Sequence, residues 1–237
     1  MASECIGWTP VKAIEVYIIA EGPSEELFIK RVIAPSFQNL SIYLKPLTLE
    51  TSQHASGGAL NFDRLKRNAR HILAAHPKAY LSTLIDLYAL STDFPSFLTA
   101  QKLPTPREKA IFLETQLDSE LTTHIECRSE RILTHIQPYE FEGLFFSNPQ
   151  ALSLTVPEWH KYSKELQDVR DQFETPEHIN NSYETKPSKR LEDLLTPRYK
   201  KTRHAALIGQ KIGLSAIEKE CPHFAAWLHQ LRDLKPL

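Results

Sequence analysis

The sequence predicts an α/β fold, a mostly parallel sheet with flanking helices and a C-terminal helical appendage. Three observations predict it. The run AIEVYIIA (residues 13–20) is apolar, β-branched and nearly continuous, as in a central strand buried on both faces. Strand-like and helix-like segments then alternate to about residue 147, and such alternation builds parallel sheets through helical crossovers. From residue 148 the chain turns helical and polar, through KPSKRLEDLL, PRYKKTRHAALIGQKIGL and PHFAAWLHQLRDL. Residues 1–147 therefore read as the sheet core, and 148–237 as a helical region packed on it.

Each element follows from local chemistry. Gly22 supplies a turn, Pro23 suits a first helical turn, and SEELFIKRVI sets Leu27, Phe28, Val32 and Ile33 at helical spacing. SIYLKPLTL (residues 41–49) reads as a strand, and Pro46 assigns it to an edge because proline cannot donate to a ladder. The polar stretch ETSQHASGGALN, with Gly57-Gly58, reads as a loop. FDRLKRNARHILAAH is an amphipathic helix whose basic face carries Arg64, Lys66, Arg67 and Arg70. AYLSTLID is a strand ending at Asp86, and LYALSTDFPSF a loop. A helix opens at Pro106 and runs to about Ser119. RILTHIQ (residues 131–137) is a further strand, leading into PYEFEGLFF.

Bulk properties bound the function. With 41% hydrophobic and 24% charged residues, the 237-residue chain can bury a full core. A net charge of -1 excludes a whole-protein field drawing it to nucleic acid or anionic lipid, so such contacts need local patches. Cys5, Cys127 and Cys221 are scattered and form no CxxC pair, against a disulfide framework or zinc ribbon. The opening MASECIGWTP lacks a basic and apolar leader, and no apolar run approaches a membrane span. The expected location is the reducing cytoplasm. His124 and His135 have no partner at zinc spacing, and neither a Walker A motif nor a GxSxG elbow is present.

The carboxylates carry the functional signal. Glu21 ends the first strand, Asp86 ends AYLSTLID, and Glu140 and Glu142 follow RILTHIQ. Carboxyl ends of parallel strands share one sheet edge, where ligands bind. A hard oxygen cluster there suits Mg2+ or Mn2+. Plainer readings exist for most members. Glu25 and Glu26 favour a helix N-terminus, Asp86 can cap a turn, and Glu140 and Glu142 can flank a solvated strand. Glu21 ends an apolar strand ahead of a glycine turn, so it needs a cation or donors.

Glu21-Gly22 after an apolar strand, with an acid ending a later strand, resembles the Toprim domain of topoisomerases, primases and OLD-type nucleases. EGPSEELF, the GG loop, TLIDLYALSTDFP, QPYEFEGLFF, KPSKRLEDL and ECPHFAAWL resemble, more closely, an uncharacterised bacterial Toprim-related family. That family is encoded beside ABC/SMC-like ATPases in phage-defence loci. The likeness spans residues 16–231. It implies a Mg2+-dependent nuclease on DNA or RNA, transfer RNA included, acting as the toxic effector of an ATPase partner. The alternative is a degenerate Toprim-like scaffold that regulates the ATPase.

By the same resemblance Glu21 is a general acid/base or metal ligand, Glu25 the second glutamate, and Asp86 the first aspartate of an Asp-x-Asp pair. Tyr88 stands where the second aspartate belongs, leaving Asp93 or Glu140 to supply that carboxylate. The expected metal ligands are Glu21, Glu25, Asp86, Glu140 and Glu142, the last placed beside Glu140 by strand alternation. Lys189, Arg190 and then Lys201 are the candidates to stabilise transition-state charge. Nucleic acid would be gripped by Arg64, Arg67 and Arg70 and by Arg190, Arg198, Lys200 and Arg203, with Tyr199 stacking on a base. The same basic residues could instead meet an acidic partner protein. A homodimer is a further expected association; a membrane is not.

Overall fold

The computed structural model describes residues 12–49, 60–180 and 182–237. Cys5 and the Gly57-Gly58 loop lie outside the described residues.

Strand β1 (Ile14–Ala20) is central. Strand β2 (Ile42–Thr48) flanks it at one edge, as Pro46 requires, and β3 (Tyr80–Asp86) lies on its other side. Both pair with β1 in parallel. Beyond β3 the segment read as one strand is two, β4 (Ile132–Leu133) and β5 (Ile136–Gln137), each parallel to β3. The gap follows from side chains of neighbouring elements that take the ladder's place. Asp118 Oδ1 accepts the Thr134 N–H at 3.0 Å, Glu114 Oε1 accepts the Ile136 N–H at 2.7 Å, and Thr83 Oγ1 bridges the His135 backbone.

Two apolar layers cover the sheet. On one face lie α2 (Phe62–Ala75), α3 (Phe97–Ala100) and α4 (Pro106–Ile125). The α4 helix starts on a Thr105/Glu108 capping box. It outruns the expected end near Ser119 because Leu113, Leu117 and Leu121 extend one buried stripe. Asp93, weighed above as a substitute carboxylate, instead accepts the Phe62 N–H at 3.0 Å at the start of α2.

The other face carries α1 (Pro23–Phe28), which continues without a break through a π turn and a 3-10 stretch to Leu40. The C-terminal helices pack here: α5 (Pro149–Ser153), α6 (Ser163–Arg170), α7 (Pro187–Leu194), α8 (Lys201–Ile212), α9 (Leu214–Glu220) and α10 (Pro222–Arg232). One apolar cluster joins Val16 and Ile18 of β1 to Ile208, Phe224 and Leu231. Trp159 and Trp227 are buried in it, and the Trp227 indole N–H donates to Ser82 Oγ on β3 at 2.9 Å.

The α1–α8 crossing is tight at Gly209, where an added Cβ would lie 2.5 Å from the Phe28 ring and 2.9 Å from Val32. Gly209→Ala is expected to cost about 1–3 kcal/mol by overpacking, read as a lower melting temperature in circular dichroism. A change within about 1 °C would mean that the crossing relaxes freely.

Asp118 supplies a pH prediction. Burial pushes its carboxyl up to about 6, against the two Thr134 hydrogen bonds that pull it down. A carboxyl raised on folding holds its proton longer in the native state, so stability falls as pH rises from about 4 to 6. Asp118→Asn keeps an acceptor for Thr134 and removes that loss. Its melting temperature is expected to match the wild type near pH 4 and to exceed it at pH 7 by the equivalent of about 1–2 kcal/mol, discounted for partial exposure. An identical difference at both pH values would refute this.

Candidate functional site

The expected acids converge. Glu21 follows β1 directly, Glu25 is in the first turn of α1, and Asp86 ends β3, a strand buried along its whole length. Glu140 and Glu142 reach the same rim by a route other than strand alternation. Glu140 precedes a 3-10 turn, Phe141–Ser147, and Glu142 lies inside it. That turn is held to β3 by the Phe141 N–H, which donates to Asp86 Oδ1 at 2.8 Å. A cleft of about 300 Å³ results, lined by Glu21, Asp86, Tyr88, Glu140, Glu142, Lys186, Ser188, Glu192 and Lys201. Glu25 adjoins it, buried beneath Lys201.

Lys201, the first residue of α8, is the hub. Its ammonium lies 2.7 Å from Glu25, 3.5 Å from Glu142 and 3.7 Å from Asp86, and 4.7 Å over the Phe141 ring. Lys186 pairs with Glu140 at 2.7 Å, and the Ser188 N–H donates to the second Glu140 oxygen at 3.0 Å. Five carboxyl groups therefore share two ammonium groups.

Burial dominates the electrostatics of the cleft. Burial raises the Glu21 carboxyl, with Lys201 pulling against it and Glu25 adding to it. Burial lifts Asp86 well above the usual carboxylate range and pushes Glu142 up to about 7, again against Lys201. Desolvation works against the Lys201 charge, but Glu142, Asp86 and Glu25 outweigh it and hold the ammonium well above its ordinary value. Glu21 Oε2 and Glu142 Oε2 are buried without a hydrogen-bond partner. Buried carboxylate oxygens left unpaired are costly, so the donor set fits a hard divalent cation.

Tyr88 stands at the cleft mouth, 47% exposed, its ring 5.4 Å from Tyr139. Tyr139 has a positive φ of 60°, a strained backbone for a bulky residue, beside the ligand-type Glu140.

Other sequence-based expectations are corrected. Tyr199 cannot stack on a base: it is 1% exposed, and its hydroxyl donates to Glu142 at 3.4 Å. Lys189 pairs with Asp193 one turn along α7, outside the cleft lining. The lysine that enters from KPSKR is Lys186, missed because Pro187 starts the helix and leaves Lys186 in extended backbone facing Glu140. Arg190 donates to the Thr185 carbonyl and lies over Phe173, so packing occupies it. Arg64, Arg67 and Arg70 sit on α2, over the opposite sheet face, and Arg70 lines a separate pocket with Arg128 and Arg131 before β4. Arg198, bonded to Glu192 at 2.6 Å, and exposed Lys200 and Arg203 do remain close to the cleft in the chain.

Fold and site define an α/β parallel-sheet protein with an acidic cleft at the carboxyl rim of its strands. The chain belongs to the domain-of-unknown-function family DUF4276, which it matches over residues 20–232. No curated protein and no solved structure matches it. No helix among the described residues is long and apolar enough to cross a membrane.

Proposed function

We propose that this chain is a Toprim-like, Mg2+- or Mn2+-dependent nuclease that hydrolyses phosphodiesters of DNA or RNA, transfer RNA included. In this reading it is the cytoplasmic effector of a two-component anti-phage system, restrained and released by an ABC/SMC-like ATPase. One observation carries the nuclease reading: Glu21, Glu25, Asp86, Glu140 and Glu142 gather at one rim, where Glu21 Oε2 and Glu142 Oε2 are buried without a hydrogen-bond partner. The effector role and the ATPase rest on the sequence resemblance alone.

Glu21, Asp86, Glu140 and Glu142 would hold the ion, with Glu25 behind Lys201. A bound divalent cation supplies charge neutralisation at the phosphate and lowers the pKa of water. The protein's own groups do the rest. Lys201 and Lys186, on the cleft wall, present ammonium groups to non-bridging phosphate oxygens. Glu21, with Oε2 unpartnered, can take the proton of the attacking water. Arg198, Lys200 and Arg203 offer phosphate contacts beside the cleft.

The rival reading, a scaffold that binds the ATPase, is favoured by a specific feature. Lys201 already places a cation among Glu25, Asp86 and Glu142, and Tyr88 is a poor ligand. The test is Mg2+- and Mn2+-dependent cleavage of plasmid DNA and total transfer RNA, with and without the ATPase. Cleavage lost in Asp86→Asn supports the nuclease. No cleavage under any condition, with no metal-induced thermal shift, supports the scaffold.

A further inference from the structure

A second group of ligand-type side chains is buried where α4, the gap between β4 and β5, and the first turn of α10 meet. Glu114, His135 and His223 bring a carboxylate oxygen and two imidazole nitrogens within 4.8 Å of one another. Glu114 Oε1 lies 2.9 Å from His223 Nε2 and 3.4 Å from His135 Nδ1. Donors bound to tetrahedral zinc at 2.0–2.1 Å stand about 3.3 Å apart. Two of the three separations are within a few tenths of an ångström of that, and all three lie within 4.8 Å.

The group is oriented from outside as metal ligands are. His135 Nε2 faces Gln137 Oε1 at 3.1 Å. The Gln137 side-chain amide thus fixes the His135 ring with Nδ1 toward the Glu114 carboxylate. His135 Nδ1 and Glu114 Oε1 face each other across 3.4 Å, at a histidine only 1% exposed. The His135 ring is clamped between Trp227, at 4.7 Å, and His223, at 4.9 Å. Glu114 is steadied by the Ile136 N–H, and His223 by its own N–H to Glu177 at 2.9 Å. Sequence spacing concealed the site because its members come from three distant segments.

We propose that Glu114, His135 and His223 bind a borderline divalent transition metal of the zinc type, which ties α10 to the sheet. Two imidazoles and one carboxylate suit such an ion, whereas the all-oxygen cleft suits a hard one. Without metal, His223 Nε2–H donates to Glu114; binding displaces that proton to solvent. Glu114 is 15% exposed along its side chain, so water can complete the coordination. The proposal is independent of the nuclease reading.

The test is Co2+ titration of the chelator-stripped full chain, followed by Zn2+. The expected result is a visible four- or five-coordinate Co2+ spectrum that saturates at one equivalent and is bleached by Zn2+, with Zn2+ raising the melting temperature. His223→Gln, which keeps a donor toward Glu114, is expected to lose both signals; Asp86→Asn is expected to keep them. No spectrum from folded wild type, signals that persist in His223→Gln, or signals lost in Asp86→Asn would overturn the proposal. Should His223→Gln not fold, electron paramagnetic resonance of the Cu2+-loaded wild type decides. Imidazole nitrogen coupling supports the site, and an all-oxygen signal overturns it.

Discussion

Replacing Lys201 with methionine is expected to lower the melting temperature by about 4–10 °C, and millimolar Mg2+ or Mn2+ to return most of that loss. The Lys201 ammonium is the shared counter-ion of Glu25, Asp86 and Glu142. Removing one partner of a buried ion pair costs about 3–5 kcal/mol, because the charge left behind stays desolvated. The Lys201 side chain is 34% exposed, so water screens part of the effect. About 2–3 kcal/mol is the expected loss. Methionine keeps the stem beside Phe141, which isolates the charge. A divalent ion should then stabilise the variant more than the wild type, since it no longer competes with an ammonium. Equal metal-induced shifts in both proteins would show that the ion and Lys201 do not share these carboxylates. An unchanged melting temperature without metal would refute the hub role.

Asp86→Asn is expected to act in opposite directions on stability and activity. Asparagine keeps an oxygen to accept the Phe141 N–H, so the turn carrying Glu140 and Glu142 stays in place. Burial and the neighbouring acids disfavour the Asp86 carboxylate strongly enough to outweigh Lys201. A neutral isostere removes that cost, and the melting temperature should rise. On the proposed nuclease reading, metal-dependent cleavage should fall at least about a hundredfold, because a carboxylate that would hold the ion is gone. A destabilised variant that retains cleavage would contradict both halves.

The acids were legible in the sequence for a definite reason. Glu21 and Asp86 close apolar runs, and parallel strands present their carboxyl ends on one rim. Glu142 was named for the wrong geometry: a 3-10 turn, not strand alternation, brings it to the cleft. The cations were read less well. Lys186, Lys189 and Arg190 lie within five residues of one another, yet each points elsewhere, to Glu140, to Asp193 and to the Thr185 carbonyl. Lys189 and Arg190 are taken up by local partners, and only the Lys186–Glu140 pair is a long-range contact. Tyr199 looked like a stacking residue among lysines and arginines and is instead a buried donor to Glu142.

By itself the sequence determined the parallel α/β architecture, the edge position of β2 and the rim on which the carboxylates gather. Those follow from hydrophobic periodicity and turn chemistry, which act over a few residues. Only the tertiary structure decided that Lys201 and Lys186 are the cations of the cleft, that RILTHIQ is broken, and that Glu114, His135 and His223 meet. The break depends on Asp118 and Glu114 of α4, and the other two on the C-terminal helices folding back over the sheet, where packing of α8 on α1 and of Trp227 on β3 sets positions that no neighbouring residue encodes.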